Sequence, residues 1–541
     1  MTAQRKASVE ASEPRVPGMA RTLAAVFVFL TMVVGEAQAT TFRVVVVPAL
    51  ELSDLQDLED RGAVGLLVPG AGPETSADRA LAALERGEVR NSLRGGSPEG
   101  SPLITIETAD AVPSGNVIVL ALPQGGDQPN DRRYPVAVLG TGFEGLLESG
   151  STRIPGLVSI ADIAPTALGR AEGLTSEPSD DAAAELRELD RRISENGDAR
   201  LPATLLAAVI ILVLAFVWPR AALIGFATGL GANLVLGVLG VSEPWIVLLA
   251  IAAAVAVAAP LLSLVLRSGF AVGAALVAVL AAYLVVLGVD GPSVALSPFG
   301  PTQNARFYGI SNLLGTFFLV PALAGAALLA RRFGAAGFAF VGAIALLLVA
   351  GSRFGADGGG AIVLAVGFTV LGVLLARARP RAIAVAGVAS LALVAAFVAV
   401  DAATGGSSHV TRAFEDGPAG LASDLAERVE LSLARLADNV FVGLLVAAGI
   451  AILVFLVART LRSDAPMPLR ATPLALAAAI GASLIVNDSP NDVVLGGVVG
   501  YLAVERGMLS PRCVARSWSS RLRSRSSAAV APSPSPPPRR P

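Results

Sequence analysis

Beyond residue 200 the chain alternates apolar stretches with short polar connectors, and the period of that alternation is the thickness of a bilayer. Spans are predicted over 203–219, 221–240, 245–265, 270–288, 310–330, 335–350, 360–376, 382–400, 440–458, 471–487 and 491–504. The last two are short enough to form a helical hairpin that does not fully cross. Every second connector is basic: Arg220; Arg267; Arg331 and Arg332; Arg377, Arg379 and Arg381; Arg459, Arg462 and Arg470. Basic connectors stay on the cytoplasmic side. The other connectors carry ARFYGISN, GSRFGADGGG, SSHVTRAFE and NDSPND, and are therefore expected to face outward. Within the longest of them, Asp424, Glu427, Arg428, Glu430, Arg435 and Asp438 alternate in sign along an amphipathic helix expected to lie on the surface.

Upstream the period changes. RVVVV (Arg43–Val47), AVGLLV (Ala63–Val68), NVIVLAL (Asn116–Leu122) and PVAVLG (Pro135–Gly140) are short β-branched runs bounded by Gly, Pro and Asp. Such runs suit buried strands of a mostly parallel sheet. Ser76–Gly87 and Asp162–Gly169 read as helices between them. The expected organisation is an α/β domain over 40–180, a charged linker helix over 181–202, an all-α polytopic domain of about eleven helices over 203–505, and a basic Pro/Ser/Arg-rich tail over 506–541. Residues 1–39 read as a signal peptide or a retained signal anchor. Basic residues precede the apolar run Leu23–Val34, and Ala37-Gln38-Ala39 offers a cleavage site. Either way the α/β domain emerges outside the cell and the C-terminus stays in the cytoplasm.

Composition agrees. Of 541 residues 54% are hydrophobic and only 16% charged, with a mean hydropathy of +0.67, which a soluble domain rarely shows. The net charge of −2 conceals a segregation: residues 51–200 hold 26 acidic against 13 basic side chains. No nucleic-acid partner is expected of such a chain. Lys6 is the only lysine, and the excess of Arg, Ala, Gly and Val suggests a GC-rich bacterial genome such as that of an actinobacterium. Cys513 is the only cysteine, so no disulfide can form within the chain. One histidine, no second cysteine and no regular carboxylate spacing give no support to a metal site, and no cofactor is expected.

Candidate chemistry collects in the outward connectors. Arg306, Tyr308 and Asn312 stand where a loop becomes a helix. A guanidinium there suits a phosphate, although it also suits a lipid head group. Arg353 and Asp357 are four apart and would pair if helical, within a Gly-rich stretch whose amides could cup an anion. His409, a candidate general base, precedes Arg412 by three residues. Asn487, Asp488, Asn491 and Asp492 could take a cation or a sugar hydroxyl, or form an ordinary turn around Pro490.

Three resemblances add to this. RVVVVPALELSDL, SADRALAALERG and IPGLVSIADIAPTALG occur in an order similar to the alkaline phosphatase and sulfatase superfamily. That resemblance implies an alkaline phosphatase-like head. Pro48 and Ala49 stand where active members place an aspartate metal ligand, and the head has no histidine. Thr75 or Ser76 would lie near the nucleophile position without a metal to activate it, so a degenerate, non-catalytic pseudoenzyme is implied. The whole architecture resembles bacterial multi-pass proteins with an ARxYGIGNE-like motif, a Gly-rich loop and a late NDSG-like motif. Here Leu313 replaces the glutamate of the first motif. A looser similarity links ARFYGISNLLG and LLLVAGSRFGADGGGAIVLAVG to O-antigen ligases and polymerases. It implies diphosphate binding by Arg306 and Arg353 and acceptor activation by His409.

These readings converge on a multi-pass plasma-membrane protein handling an anionic, lipid-linked cell-envelope precursor, with a polyprenyl-phosphate-linked glycan as ligand. Membrane lipids and an envelope protein docking on the head are the further expected partners. A metal-independent glycan transferase, a lipid flippase or transporter, and a non-catalytic scaffold all stay open.

Overall fold

Val44 and Val46 enter one hydrophobic core and Val45 and Val47 another, and this alternation sets the layers of the N-terminal head. The computed structural model describes residues 41–95, 100–301, 307–377 and 417–509, with isolated positions between 381 and 399. Ten strands form in the head: β1 (Arg43–Val46), β2 (Gly62–Val68), β3 (Glu74–Thr75), β4 (Ile106–Thr108), β5 (Val117–Leu120), β6 (Gln128–Pro129), β7 (Tyr134–Leu139), β8 (Gly145–Glu148), β9 (Leu157–Ser159) and β10 (Thr175–Glu177). Eight of them make one sheet in the order β10-β8-β2-β7-β5-β1-β4, with β9 beside β8 along the same edge of β2.

The expectation of a mostly parallel sheet needs correction at its centre. β7 pairs antiparallel with both β2 and β5, and β10 with β8. The cause is the connection over 121–133, which holds no helix. Without a crossover helix the chain can only turn back beside β5. Asn130 anchors that connection by donating to the carbonyls of Gly70 and Gly72.

Short helix α1 (Leu55–Glu59) covers one face of the sheet; α2 (Ala77–Arg86) and α3 (Ile163–Ala167) cover the other. Ser76 caps α2 by accepting from the Arg79 amide at 3.4 Å. The expected linker helix and first span are one continuous helix, α4 (Ala182–Val217), 36 residues long. At 1.5 Å per residue it reaches about 54 Å. Its first turns bury Ala182, Ala183 and Leu186 in the head, and Arg133 clamps it by donating to Asp190 Oδ1 at 2.6 Å.

The remaining helices are α5 (Pro219–Val238), α6 (Pro244–Val265, with a π-turn at Ala254–Ala258), α7 (Gly269–Val289), α8 (Gly291–Ala295), α9 (Asn312–Phe333), α10 (Ala335–Ala350), α11 (Gly358–Ala376), α12 (Gly417–Asp438), α13 (Val440–Arg462), α14 (Met467–Val486) and α15 (Pro490–Leu509). Among the described residues eight helices are long and apolar enough to cross a membrane: α4, α5, α6, α7, α9, α11, α13 and α14. α10 is apolar but has 16 residues. The expected span over 382–400 lies almost wholly outside the described residues. α9 is the centre of the bundle, with 89% of its apolar window buried against 22% for α13. Large exposed side chains such as Val209, Phe216, Leu249, Leu261, Leu444 and Phe455 coat the outside. Apolar surface on that scale needs lipid to cover it.

Arginines of the basic connectors are tied to neighbouring segments. At the end away from the head, Arg220 donates to Leu266 O, Arg470 donates to Leu461 O at 3.0 Å, and Arg459 pairs with buried Glu505. At the other end the head is seated directly on the bundle. Ala295 and Phe307 belong to the same hydrophobic core as β1, β2 and β5, so the membrane part completes the core of the head.

Candidate functional site: a polar mouth beneath the head

The head-side mouth of the bundle begins with two backbones in contact. Gly309 has φ +76°, and a Cβ there would lie 2.2 Å from Gly355 O, so only glycine fits. The Ile310 amide donates to the same carbonyl at 3.3 Å. ARFYGISN and GSRFGADGGG are thereby joined. Arg153 of the head closes over them: its guanidinium lies 4.0 Å above the Tyr308 ring and donates to Ser352 O at 2.7 Å. Arg153 itself is held at φ +56°, a conformation that non-glycine residues adopt at a cost.

The NDSPND turn joins from the opposite side. Asn312 Nδ2, in the first turn of α9, donates to Asp488 Oδ1 at 2.7 Å and to Ser489 Oγ at 3.2 Å. Arg435 of α12 donates to Ser489 Oγ at 2.9 Å and lies 3.7 Å from Asp488 Oδ2. Asn491 donates to Asp492 Oδ1 at 2.9 Å. Asp492 lies within charge–charge reach of Arg200, Arg435 and Asp488. Arg200 donates to the carbonyls of Pro298 and Gly300, in the loop that follows α8.

A second group stands next to this one. Asp357, 5% exposed, precedes α11 and makes no capping bond to it. Asn487, also 5% exposed, donates through Nδ2 to Ser483 Oγ at 2.7 Å. Its Oδ1 is buried with no hydrogen-bond partner among the described residues.

The structure therefore brings together Tyr308, Asn312, Asp357, Asn487, Asp488, Asn491 and Asp492, which lie in three separate segments of the sequence. It does not pair Arg353 with Asp357. The segment between α10 and α11 is a turn rather than a helix, and Arg353 is exposed while Asp357 is buried. Arg306, His409 and Arg412 lie outside the described residues.

Arg153, Ser489, Arg200 and Arg435 were not singled out from the sequence. Arg200 is the last charge before an apolar span, and that position was the available signal. Arg435 read as part of a surface helix, but one side of α12 is docked. Leu431 and Ser432 are buried, Ser432 Oγ donates to Asn487 O at 2.8 Å, and Glu430 pairs with Arg94 of the head at 3.4 Å.

Two cavities complete the picture. A small apolar cleft between α4, α5, α6, α9 and α15 is lined by Thr204, Ile211, Phe226, Val255, Phe317 and Val499. Thr204 lies one turn beyond Arg200 on α4, and the lining residues Leu495 and Gly496 follow Asp492 on α15, so the cleft descends from the polar mouth. In the head, a small space is bordered by Glu74, Thr75, Arg79 and Arg90. Thr75 Oγ1 is buried there without a hydrogen-bond partner among the described residues. No group of three or more His, Cys, Asp or Glu side chains suited to a metal occurs among the described residues.

Asn233, at membrane depth, is bound up structurally. Its Nδ2 donates to Tyr283 Oη at 2.8 Å and Ser297 Oγ at 3.0 Å, and its Oδ1 accepts from the Phe299 amide at 2.9 Å. It fastens the loop that carries Phe299 into the bundle.

No family model, curated protein or solved structure matches the chain.

Proposed function

We propose that this protein binds and handles a lipid-linked, anionic cell-envelope precursor at the extracytoplasmic face of the plasma membrane. The convergence of three sequence-distant polar segments on one mouth, with an apolar cleft descending beside it, carries this reading. An amphiphile needs both parts: hydrogen-bonding groups for its head and a dry groove for its chain. Asn312, Asp488, Ser489, Arg435 and Asp492 supply donors and acceptors in mixture. That mixture suits a polyhydroxylated head group such as a sugar better than a bare phosphate, because Asp488 and Asp492 already face the guanidiniums of Arg435 and Arg200. Arg306 and exposed Arg353 are the groups left for the phosphate-bearing linkage. His409 is the candidate base for passing the sugar to an acceptor.

The test is retention of a polyprenyl-diphosphate-linked sugar by the purified protein in nanodiscs, read by native mass spectrometry. The wild type is expected to retain it and Asn312→Ala with Asp488→Ala to lose at least tenfold in occupancy. Equal retention by both proteins would overturn the reading. If His409→Ala retains the ligand but abolishes turnover, transfer is the activity.

A scaffold is the second reading, favoured by one observation. The head's core is completed by Ala295 and Phe307 of the membrane part, which suits a rigid platform for an envelope partner. Under it the head is a pseudoenzyme derived from a phosphatase-like ancestor and binds without catalysing.

A further inference from the structure

Gly359 marks a point that oxygen atoms surround. A Cβ built on it would have as its three nearest neighbours Asn487 Oδ1 at 2.8 Å, Val486 O at 3.2 Å and Asp357 Oδ1 at 3.4 Å. A Cβ on Gly360 would lie 2.6 Å from Asp357 Oδ2. Lacking a Cβ, Gly359 lets the start of α11 lie close against acceptors of α14 and the Asp357 carboxylate, and Gly360 packs on Asp357 Oδ2 and on Val349 of α10. Buried acceptors are normally matched by donors. Here Asn487 Oδ1 has no donor among the described residues, and the Asp357 carboxylate makes no capping bond to the amides of α11. Val486 O belongs to the last turn of α14, where carbonyls have no intrahelical partner and the helix end is negative.

We infer that Asp357, Asn487 and Val486 form a binding site for a monovalent alkali cation, sodium in the first instance, between the start of α11 and the end of α14. The charge count selects the valence. One carboxylate and two neutral carbonyl oxygens are balanced by a single positive charge. Calcium takes six to eight oxygens and several carboxylates, which this site does not provide. Side-chain carboxylate plus carbonyls at an interrupted helix is the arrangement that desolvates sodium in membrane proteins. The bound ion would neutralise a carboxylate otherwise buried beside apolar Val349. It would also tie the Gly-rich loop to the NDSPND turn.

The experiment uses full-length protein in nanodiscs without added ligand. Unfolding is followed in sodium, potassium or N-methylglucamine chloride at constant ionic strength, with binding of radioactive sodium measured in parallel. The wild type is expected to show a saturable rise in Tm with sodium and roughly stoichiometric binding. Gly359→Ala, whose methyl would press on Asn487 Oδ1 and Val486 O, is expected to lose the sodium increment and the bound radioactive sodium, each compared with the same variant in N-methylglucamine. Asp357→Asn should lose sodium binding as well. The inference is overturned if the wild type unfolds identically in all three salts, as it would were the Asn487 amide turned to donate to Asp357. It is equally overturned if either variant keeps the full increment. Retention of a lipid-linked sugar is measured separately through Asn312 and Asp488, so failure here leaves that test intact.

Discussion

Asn312 donates a 2.7 Å hydrogen bond to Asp488 across 176 residues of sequence, and that bond fixes the start of α9 to the turn between α14 and α15. Asp488 also faces Arg435, so one carboxylate holds together three elements.

This arrangement predicts coupling. Asn312→Ala and Arg435→Ala each remove one partner of the same carboxylate, and hydrogen bonds to charged groups contribute about 1.5–3 kcal/mol. The double variant is expected to lose less stability than the sum of the two, by about 0.5–3 kcal/mol, in a double-mutant cycle read by unfolding in nanodiscs. Strict additivity would mean that the three groups do not act as a unit.

Arg153 joins head to bundle through its planar group, stacked on Tyr308 and bonded to Ser352 O. Lysine keeps the charge but not the fork. Arg153→Lys and Arg153→Ala are both expected to raise hydrogen exchange over 307–312 and 351–357, with a loss of about 1–2 kcal/mol for alanine. Unchanged exchange in both segments would show that the head is held elsewhere.

At the opposite end Glu505 is buried against Arg459, with Thr460 donating to it at 2.9 Å. Removing the arginine leaves a buried carboxylate unpaired, at a cost of about 3–5 kcal/mol. Arg459→Leu is therefore expected to lower Tm sharply, and Arg459→Leu with Glu505→Leu to recover most of the loss.

Asn233 satisfies Tyr283, Ser297 and the Phe299 amide at once. Asn233→Leu would strand the Phe299 amide in an apolar interior at a cost of about 1–3 kcal/mol, whereas the Tyr283 and Ser297 hydroxyls keep their bonds to the carbonyls of Leu230 and Val294. Faster hydrogen exchange over 297–300 is the expected signature, and unchanged exchange there would contradict this role.

Much of the fold was legible because single-residue chemistry decides it. Apolar runs gave the helices of the bundle, and short β-branched runs bounded by Gly, Pro and Asp gave four of the strands. The linker helix and the first span run on without a break near residue 202, since Arg200 and Pro202 change the solvent around α4 but not its backbone. The reversal of β7 was not legible because it depends on what the 121–133 connection lacks. The mouth was partly legible: charged and amide groups at helix ends announced themselves. That Asp357 turns inward and Arg353 outward is set by a turn whose geometry no periodicity encodes. Arg435 was hidden by its helix, whose alternating charges read as solvated on every side.

The account depends above all on the head and the polar mouth sharing the extracytoplasmic compartment. In a Cys513→Ser background, Arg353→Cys lies at the mouth and Arg462→Cys at the far end of α13, both exposed. A membrane-impermeant maleimide added to intact cells is predicted to label position 353 and to reach position 462 only after the membrane is opened. Labelling of 462 but not 353 in intact cells would place the mouth in the cytoplasm and contradict the account.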